Sequence, residues 1–206
     1  MVYVEASVRR TQLVSAARSA LERHGVAGTS LRAVATEAEV PLGTLQYVFP
    51  SKEQLLRAVI EDVVDEIAAV LAETTDLEHG LAHAIRSGFT QFWERLVVDR
   101  SGLQLMQYEL VTYALRTPGQ EALARWQYER YGSVVADWCQ QAAHRAGETC
   151  AVPFARLARV MLATVDGLIV QYVADPHQAR ARADLDVAID MFIALTGARE
   201  TTTPTD

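Results

Sequence analysis

Apolar residues recur at helical spacing along almost the whole chain, and no stretch between turn signals alternates strictly between apolar and polar residues. That regularity limits the fold to packed helices, an all-α chain of about nine helices. Glycine and proline punctuate it, at Gly25 to Gly28, Pro41, Pro50, Gly102, Pro118-Gly119, Gly147 to Pro153 and Pro176. With 206 residues, half of them apolar and 22% charged, the chain has enough length to bury its own core and is neither disordered nor a coiled coil. Cys139 and Cys150 make no disulfide framework, which points to a reducing cytoplasm. The N-terminus lacks an apolar leader, and the most hydrophobic stretch, Phe154 to Val173, is interrupted by Arg156, Arg159, Asp166 and Gln171. Neither secretion nor contact with a membrane is expected.

Charge divides the chain. The net value is −7, yet residues 1–60 carry Arg9, Arg10, Arg18, Arg23, Arg32, Lys52 and Arg57 against Glu5, Glu22, Glu37, Glu39 and Glu53, a local excess of +2. The remainder is strongly acidic. A polyanion is therefore better received at the N-terminal end than anywhere else.

The first helix, about Ser7 to His24, lines Leu13, Ala17, Ala20 and Leu21 along one stripe and stops at Gly25. Thr29 or Ser30 caps a second helix whose Leu31, Val34, Ala35 and Ala38 share a face. A third, short helix covers about Leu42 to Phe49. At about 100° per residue, turning Leu45 inward puts Val48 and Phe49 beside it and Gly43 and Tyr47 nearly opposite, flanked by Thr44 and Gln46. Ser51 then caps a fourth helix, with Glu53 in its first turn. Two short helices joined by a tight turn, the second presenting a small residue and hydrogen-bonding side chains outward, form a helix-turn-helix suited to a major groove. Gly43 lets the backbone approach the groove edge. Thr44, Gln46 and Tyr47 offer hydrogen bonds to bases or phosphates, Gln46 best to adenine. Lys52 and the free N–H groups of the fourth helix suit a phosphate, and Arg9 and Arg10 reach the backbone or minor groove.

The segment Thr29 to Ile60, TSLRAVATEAEVPLGTLQYVFPSKEQLLRAVI, resembles the DNA-binding signature of the tetracycline repressor (TetR) family of bacterial regulators. Thr29, Ser30, Arg32 and Ala35 carry the resemblance on the second helix, Gly43-Thr44-Leu45 on the third, and Phe49-Pro50-Ser51-Lys52-Glu53 into the fourth. The resemblance implies a helix-turn-helix domain over 1–50, a linking helix over 51–73 and a ligand-binding and dimerisation domain over 51–199, while the composition of 200–206 reads as a disordered tail. It also implies double-stranded operator DNA, a small effector and a second copy of the chain as partners. The DNA contacts implied are Arg9, Arg10, Thr29, Ser30, Arg32, Gly43, Thr44, Gln46, Tyr47 and Lys52. Departures occur at Pro41, where the family often has a capping serine, at Leu42 in place of lysine, at Gln46 in place of tyrosine, and at Val48 in place of histidine or tyrosine. Family contacts made by those side chains do not carry over.

Aromatic residues cluster beyond the head. Phe92 and Trp93 on the fifth helix, Met106 and Tyr113 on the sixth, and Trp126, Tyr131 and Trp138 on the seventh can line an apolar cavity, with Gln107 and Glu109 as polar groups. A small apolar effector, neutral or cationic, suits such a lining. The same spacing also serves ordinary core packing. On the eighth helix Phe154, Leu157, Met161, Val165 and Tyr172 make one stripe and Ala158, Leu162, Ile169 and Val173 a second, while the ninth adds Ile189 and Phe192. The family pairs its last two helices with those of a second subunit, so Phe154, Leu157, Met161, Val165, Ile169, Tyr172, Ile189 and Phe192 are expected at a homodimer interface. His79 and His83 stand at i, i+4 but no third ligand can be assigned, so no metal or other cofactor is expected. The expected function is a ligand-responsive repressor, not an enzyme. The alternatives are a dimeric regulator without an effector, and an enzyme using Glu109, His144 or Cys139, for which no triad order, carboxylate pair or phosphate loop speaks.

Overall fold

The computed structural model describes residues 6–73 and 79–197. The tail expected from residue 200 lies outside them. Among the described residues there are nine α-helices and no strand: α1 (Ala6–Gly28), α2 (Leu31–Glu37), α3 (Leu42–Val48), α4 (Lys52–Glu73), α5 (Gly80–Phe92), α6 (Ser101–Arg116), α7 (Glu121–Arg145), α8 (Phe154–Ala174) and α9 (Gln178–Thr196). A π-helical turn, Trp93–Val97, follows α5 directly. Two compact units emerge, one formed by Met1–Asp65 with Gly102–Gln127, the other by Glu66–Ser101 with Tyr128–Asp206.

In the first unit, Leu13, Ala17 and Leu21 of α1, Val34 and Ala35 of α2, Leu45 of α3 and Leu55, Leu56 and Val59 of α4 are fully or almost fully buried. These are the apolar positions at helical spacing, and burying each large one is worth about 1.5–3 kcal/mol. Gly25 interrupts α1 at φ 68° and ψ 175°, a conformation open only to glycine at low cost. Ser30 caps α2 by accepting from the Ala33 amide at 3.1 Å. The turn into α3 places Glu39 at φ 54°, and the Val40 amide donates to the Ala35 carbonyl at 2.9 Å. Pro41 precedes α3 without a side-chain cap, and Ser51 Oγ accepts from the Gln54 amide at 3.2 Å to start α4. Helix α6 and the first turns of α7 complete this unit, burying Met106, Leu110, Ala114 and Leu123.

In the second unit, α9 packs on both α5 and α8. The Phe89 and Phe192 rings lie 5.3 Å apart, and the Trp93 and Tyr172 rings 5.6 Å apart. Gly88 is required by a close approach: a Cβ there would stand 2.5 Å from Trp138 Cζ2. Glu148, just after α7, accepts from the Leu81 amide at 2.7 Å and so serves an orphan donor at the start of α5.

One expectation is corrected here. Leu157, Met161, Val165, Ile169, Tyr172, Ile189 and Phe192 are buried within a single chain, and Phe154 is half-buried. Those seven belong to the core of this unit, while Phe154 keeps part of its surface exposed. The side that α8 leaves to solvent carries Val160, Ala163, Gly167, Val170 and Ala174 at helical spacing, and the side α9 leaves carries Val187, Met191 and Leu195. Of the two apolar stripes read from the sequence, the first is buried apart from half-buried Phe154, whereas the second is buried at Ala158 and Ile169 but only half-buried at Leu162 and Val173, and the exposed face is a third one beside them.

Candidate nucleic-acid interface

Helix α3 is anchored from below and bare above. Leu45 is inaccessible and Phe49 nearly so, while Tyr47 is 89% exposed and Gly43 and Gln46 are exposed. That is the orientation the 100° step requires. A Cβ at Gly43 would meet nothing within 4 Å, so the outward side of the first turn is open to an approaching surface. Thr44 is half-buried beside it. The resulting face is rigidly based, uncharged and rich in hydrogen-bonding groups, which suits base edges better than a salt-bridging protein surface.

The remaining residues expected to touch DNA occupy different settings. Thr29 is buried, and its hydroxyl donates to the Gly25 carbonyl at 2.8 Å and lies 3.3 Å from that of Ala20, so it closes the turn between α1 and α2. Ser30 is exposed but engaged as the α2 cap. Arg32 is exposed. Arg9 donates to Gln12 Oε1 at 2.7 Å, and the Arg10 guanidinium sits 5.2 Å from the Phe49 ring centroid and 3.5 Å from Glu61. Arg23 pairs with Glu37, a hydrogen-bonded pairing that holds the Glu37 carboxyl below its ordinary range. Lys52 Nζ donates to the Val26 carbonyl at 2.7 Å and lies 5.3 Å from the Tyr113 ring centroid, and burial pulls its pKa down. A phosphate at Lys52 would use the ammonium donors left over from that bond.

The residues expected to bind an effector fall in both units. Met106, Gln107, Glu109, Tyr113 and Trp126 belong to the first, Phe92, Trp93, Tyr131 and Trp138 to the second. Met106 and Trp93 are buried, and Trp126 lies under Arg57 at 4.8 Å. Tyr131 and Trp138 sit against Tyr128 and Phe89 respectively. Glu109, whose carboxylate a cationic effector would meet, accepts from the Val26 amide at 2.9 Å. Two further polar groups escaped the sequence reading. Gln104 and Gln127 are buried in the first unit, with Gln107 Nε2 3.2 Å from Gln104 Oε1 and Gln127 Nε2 3.5 Å from the Gln107 carbonyl. A signal was present at Gln127, which falls between Leu123, Ala124 and Tyr131 on one face of its helix, and a buried amide costs stability unless it is satisfied. Of the residues an enzyme would use, Cys139 is inaccessible with its thiol pKa pushed up to about 12 by burial, and His144 is exposed in the last turn of α7.

Residues 13–59 match the tetR family of bacterial regulatory proteins, and residues 81–195 match the tetracyclin repressor-like C-terminal domain. The chain is 28% identical to the HTH-type nicotine-responsive transcriptional repressor HdnoR of Paenarthrobacter nicotinovorans, over 92% of this chain and 96% of that protein. It is 27% identical to the multidrug binding protein EbrR crystallised with ethidium, with a TM-score of 0.66 over 91% of this chain and 98% of that one. A transcriptional regulator from Rhodococcus sp. Rha1 shares the fold at a TM-score of 0.71 and 22% identity, over 92% of this chain and 98% of that one.

Proposed function

The chain belongs to the tetR family of bacterial regulatory proteins, and from that premise we propose that it is a cytoplasmic homodimeric repressor, released from its operator by a small, largely apolar amine or cation. The observation that carries the DNA half of this reading is α3, with Leu45 inaccessible beneath and Tyr47 89% exposed above. The effector half is supported by the similarity to a nicotine-responsive repressor and to a protein that holds ethidium, an aromatic cation. An effector must bind the DNA-incompetent conformation more tightly, since equal affinity for both shifts nothing. Nicotine is a direct probe. At about a hundredfold excess over its Kd a true effector stabilises the protein by about 2.7 kcal/mol, which raises Tm by about 5–10 °C, and it displaces selected DNA in a fluorescence anisotropy titration. If nicotine and a panel of other aromatic amines neither raise Tm nor displace DNA, the effector half fails and the regulator works without one.

The dimer half is supported by the exposed face of α8 and α9, whose Val170, Val187 and Met191 are each at least half exposed. An exposed apolar face of this kind is covered in most soluble proteins, and a two-fold axis lets one patch cover itself. Met191→Glu is therefore expected to leave the helical content intact and to convert the protein to a monomer at micromolar concentration, read by multi-angle light scattering. A variant that stays dimeric and binds DNA as the parent does would place the subunit contact elsewhere.

A further inference from the structure

The joint between α1 and α2 is held from outside the helix-turn-helix. At Val26 the amide donates to Glu109 Oε2 of α6 at 2.9 Å, and the carbonyl accepts from Lys52 Nζ of α4 at 2.7 Å. One residue earlier, the Gly25 carbonyl accepts from the Thr29 hydroxyl at 2.8 Å. Gly25 itself, at φ 68°, passes so close to Glu109 that a Cβ would collide with the carboxylate. Four residues after Glu109, on the same face of α6, the Tyr113 ring holds the Lys52 ammonium 5.3 Å from its centroid. The two charge-assisted bonds at Val26 belong to the stronger class of protein hydrogen bonds, and both end on one buried residue.

We propose that Glu109 and Tyr113 of α6 are positioning residues for DNA binding, fixing the α1–α2 joint and Lys52 so that α6 sets how well the head engages the double helix. The proposal rests on the DNA-binding reading above. Helix α2, and α3 behind it, start from this joint, and a small displacement of α6 would release the Val26 amide and the lysine cradle together. Neither Glu109 nor Tyr113 has to touch DNA to do this.

Electrostatics alone predicts the opposite sign, and that makes the proposal testable. Removing a carboxylate from a protein that binds a polyanion strengthens binding. Glu109→Gln and Glu109→Ala remove the same charge, but the glutamine amide oxygen still accepts from the Val26 N–H. Binding to DNA selected by the parent protein is measured by fluorescence anisotropy across a salt series. The expected result is parental or slightly tighter affinity for Glu109→Gln, and affinity weaker by about threefold to tenfold for Glu109→Ala, with the salt slope unchanged because no phosphate contact is lost. Hydrogen exchange at the Val26 amide should quicken only in Glu109→Ala. Tyr113→Phe, which keeps the ring face, should bind as the parent does, whereas Tyr113→Leu should weaken binding. A residue with a merely structural role would lower Tm and leave affinity intact at temperatures well below it. Equal effects of Glu109→Ala and Glu109→Gln, or of Tyr113→Leu and Tyr113→Phe, would overturn the proposal. If Glu109→Ala fails to fold, the Tyr113 pair decides. A parent protein that enriches no DNA sequence would instead sink the DNA-binding reading, and the two failures are thereby separate.

Discussion

Replacing Gly43 with glutamate is expected to reduce operator affinity about a hundredfold or more without loss of stability. The site is exposed, a Cβ there meets nothing within 4 Å, and the residue lies in the first turn of α3. A carboxylate in the first turn is favourable to the helix dipole, so the substitution should leave Tm unchanged or slightly raised. On the DNA side, the new carboxylate stands on the face that must approach base edges between two rows of phosphates. Like charges brought together at an interface cost several kcal/mol, and each 1.4 kcal/mol is tenfold in affinity. Anisotropy and thermal melts on the same preparation check both halves. A variant that binds as the parent does would mean that α3 does not face DNA.

Phe192→Asp should have the largest effect on stability. Phe192 is 1% exposed, and its ring lies 5.3 Å from that of Phe89. Emptying such a site costs about 3–5 kcal/mol for phenylalanine to alanine, and the aspartate adds the penalty of an unpaired carboxylate in apolar surroundings. Against a total stability of about 5–15 kcal/mol, that is enough to unfold the protein or bring it to the edge of unfolding at room temperature. Met191 is its neighbour in sequence but 59% exposed, so Met191→Glu should cost almost nothing to the fold of the single chain. Circular dichroism separates the two: loss of helix in Phe192→Asp, retention in Met191→Glu. A folded, merely monomeric Phe192→Asp would contradict the burial described here.

The pair also shows where the sequence was legible. Periodicity placed the helices and, in α3, even the direction of each side chain, because a helix anchored at Leu45 and Phe49 has only one way to turn the rest. Family resemblance added the DNA-binding role of the chain as a whole. Periodicity was ambiguous on α8, where two adjacent apolar stripes showed that the helix must be covered on two sides but not by what. Which stripe a neighbouring helix covers is a tertiary fact, and here the first is buried apart from half-buried Phe154, while the second is left half-buried at Leu162 and Val173. The exposed face is marked by Ala163, Gly167 and Ala174, residues whose small size gives them almost no hydropathy signal. The aromatic residues of α5, α6 and α7 were legible as a set, but helical spacing alone could not tell a core position from a cavity wall. Lys52 was legible as a cation at a helix start, and its bond to a carbonyl 26 residues earlier was not. Long-range hydrogen bonds leave no periodic trace, and the same holds for Glu109 on the Val26 amide.

Selection of bound fragments from a random pool of double-stranded DNA, run in parallel on the parent protein and on Gly43→Glu, asks whether α3 reads DNA as one half of a two-fold dimer. A two-fold dimer that reads DNA through α3 must enrich an inverted repeat, with half-site centres separated by a whole number of helical turns of about 10–10.5 base pairs. That repeat is expected for the parent, and no enrichment for Gly43→Glu. Absence of any enriched sequence with the parent protein, or the same sequence recovered by both, would contradict that expectation.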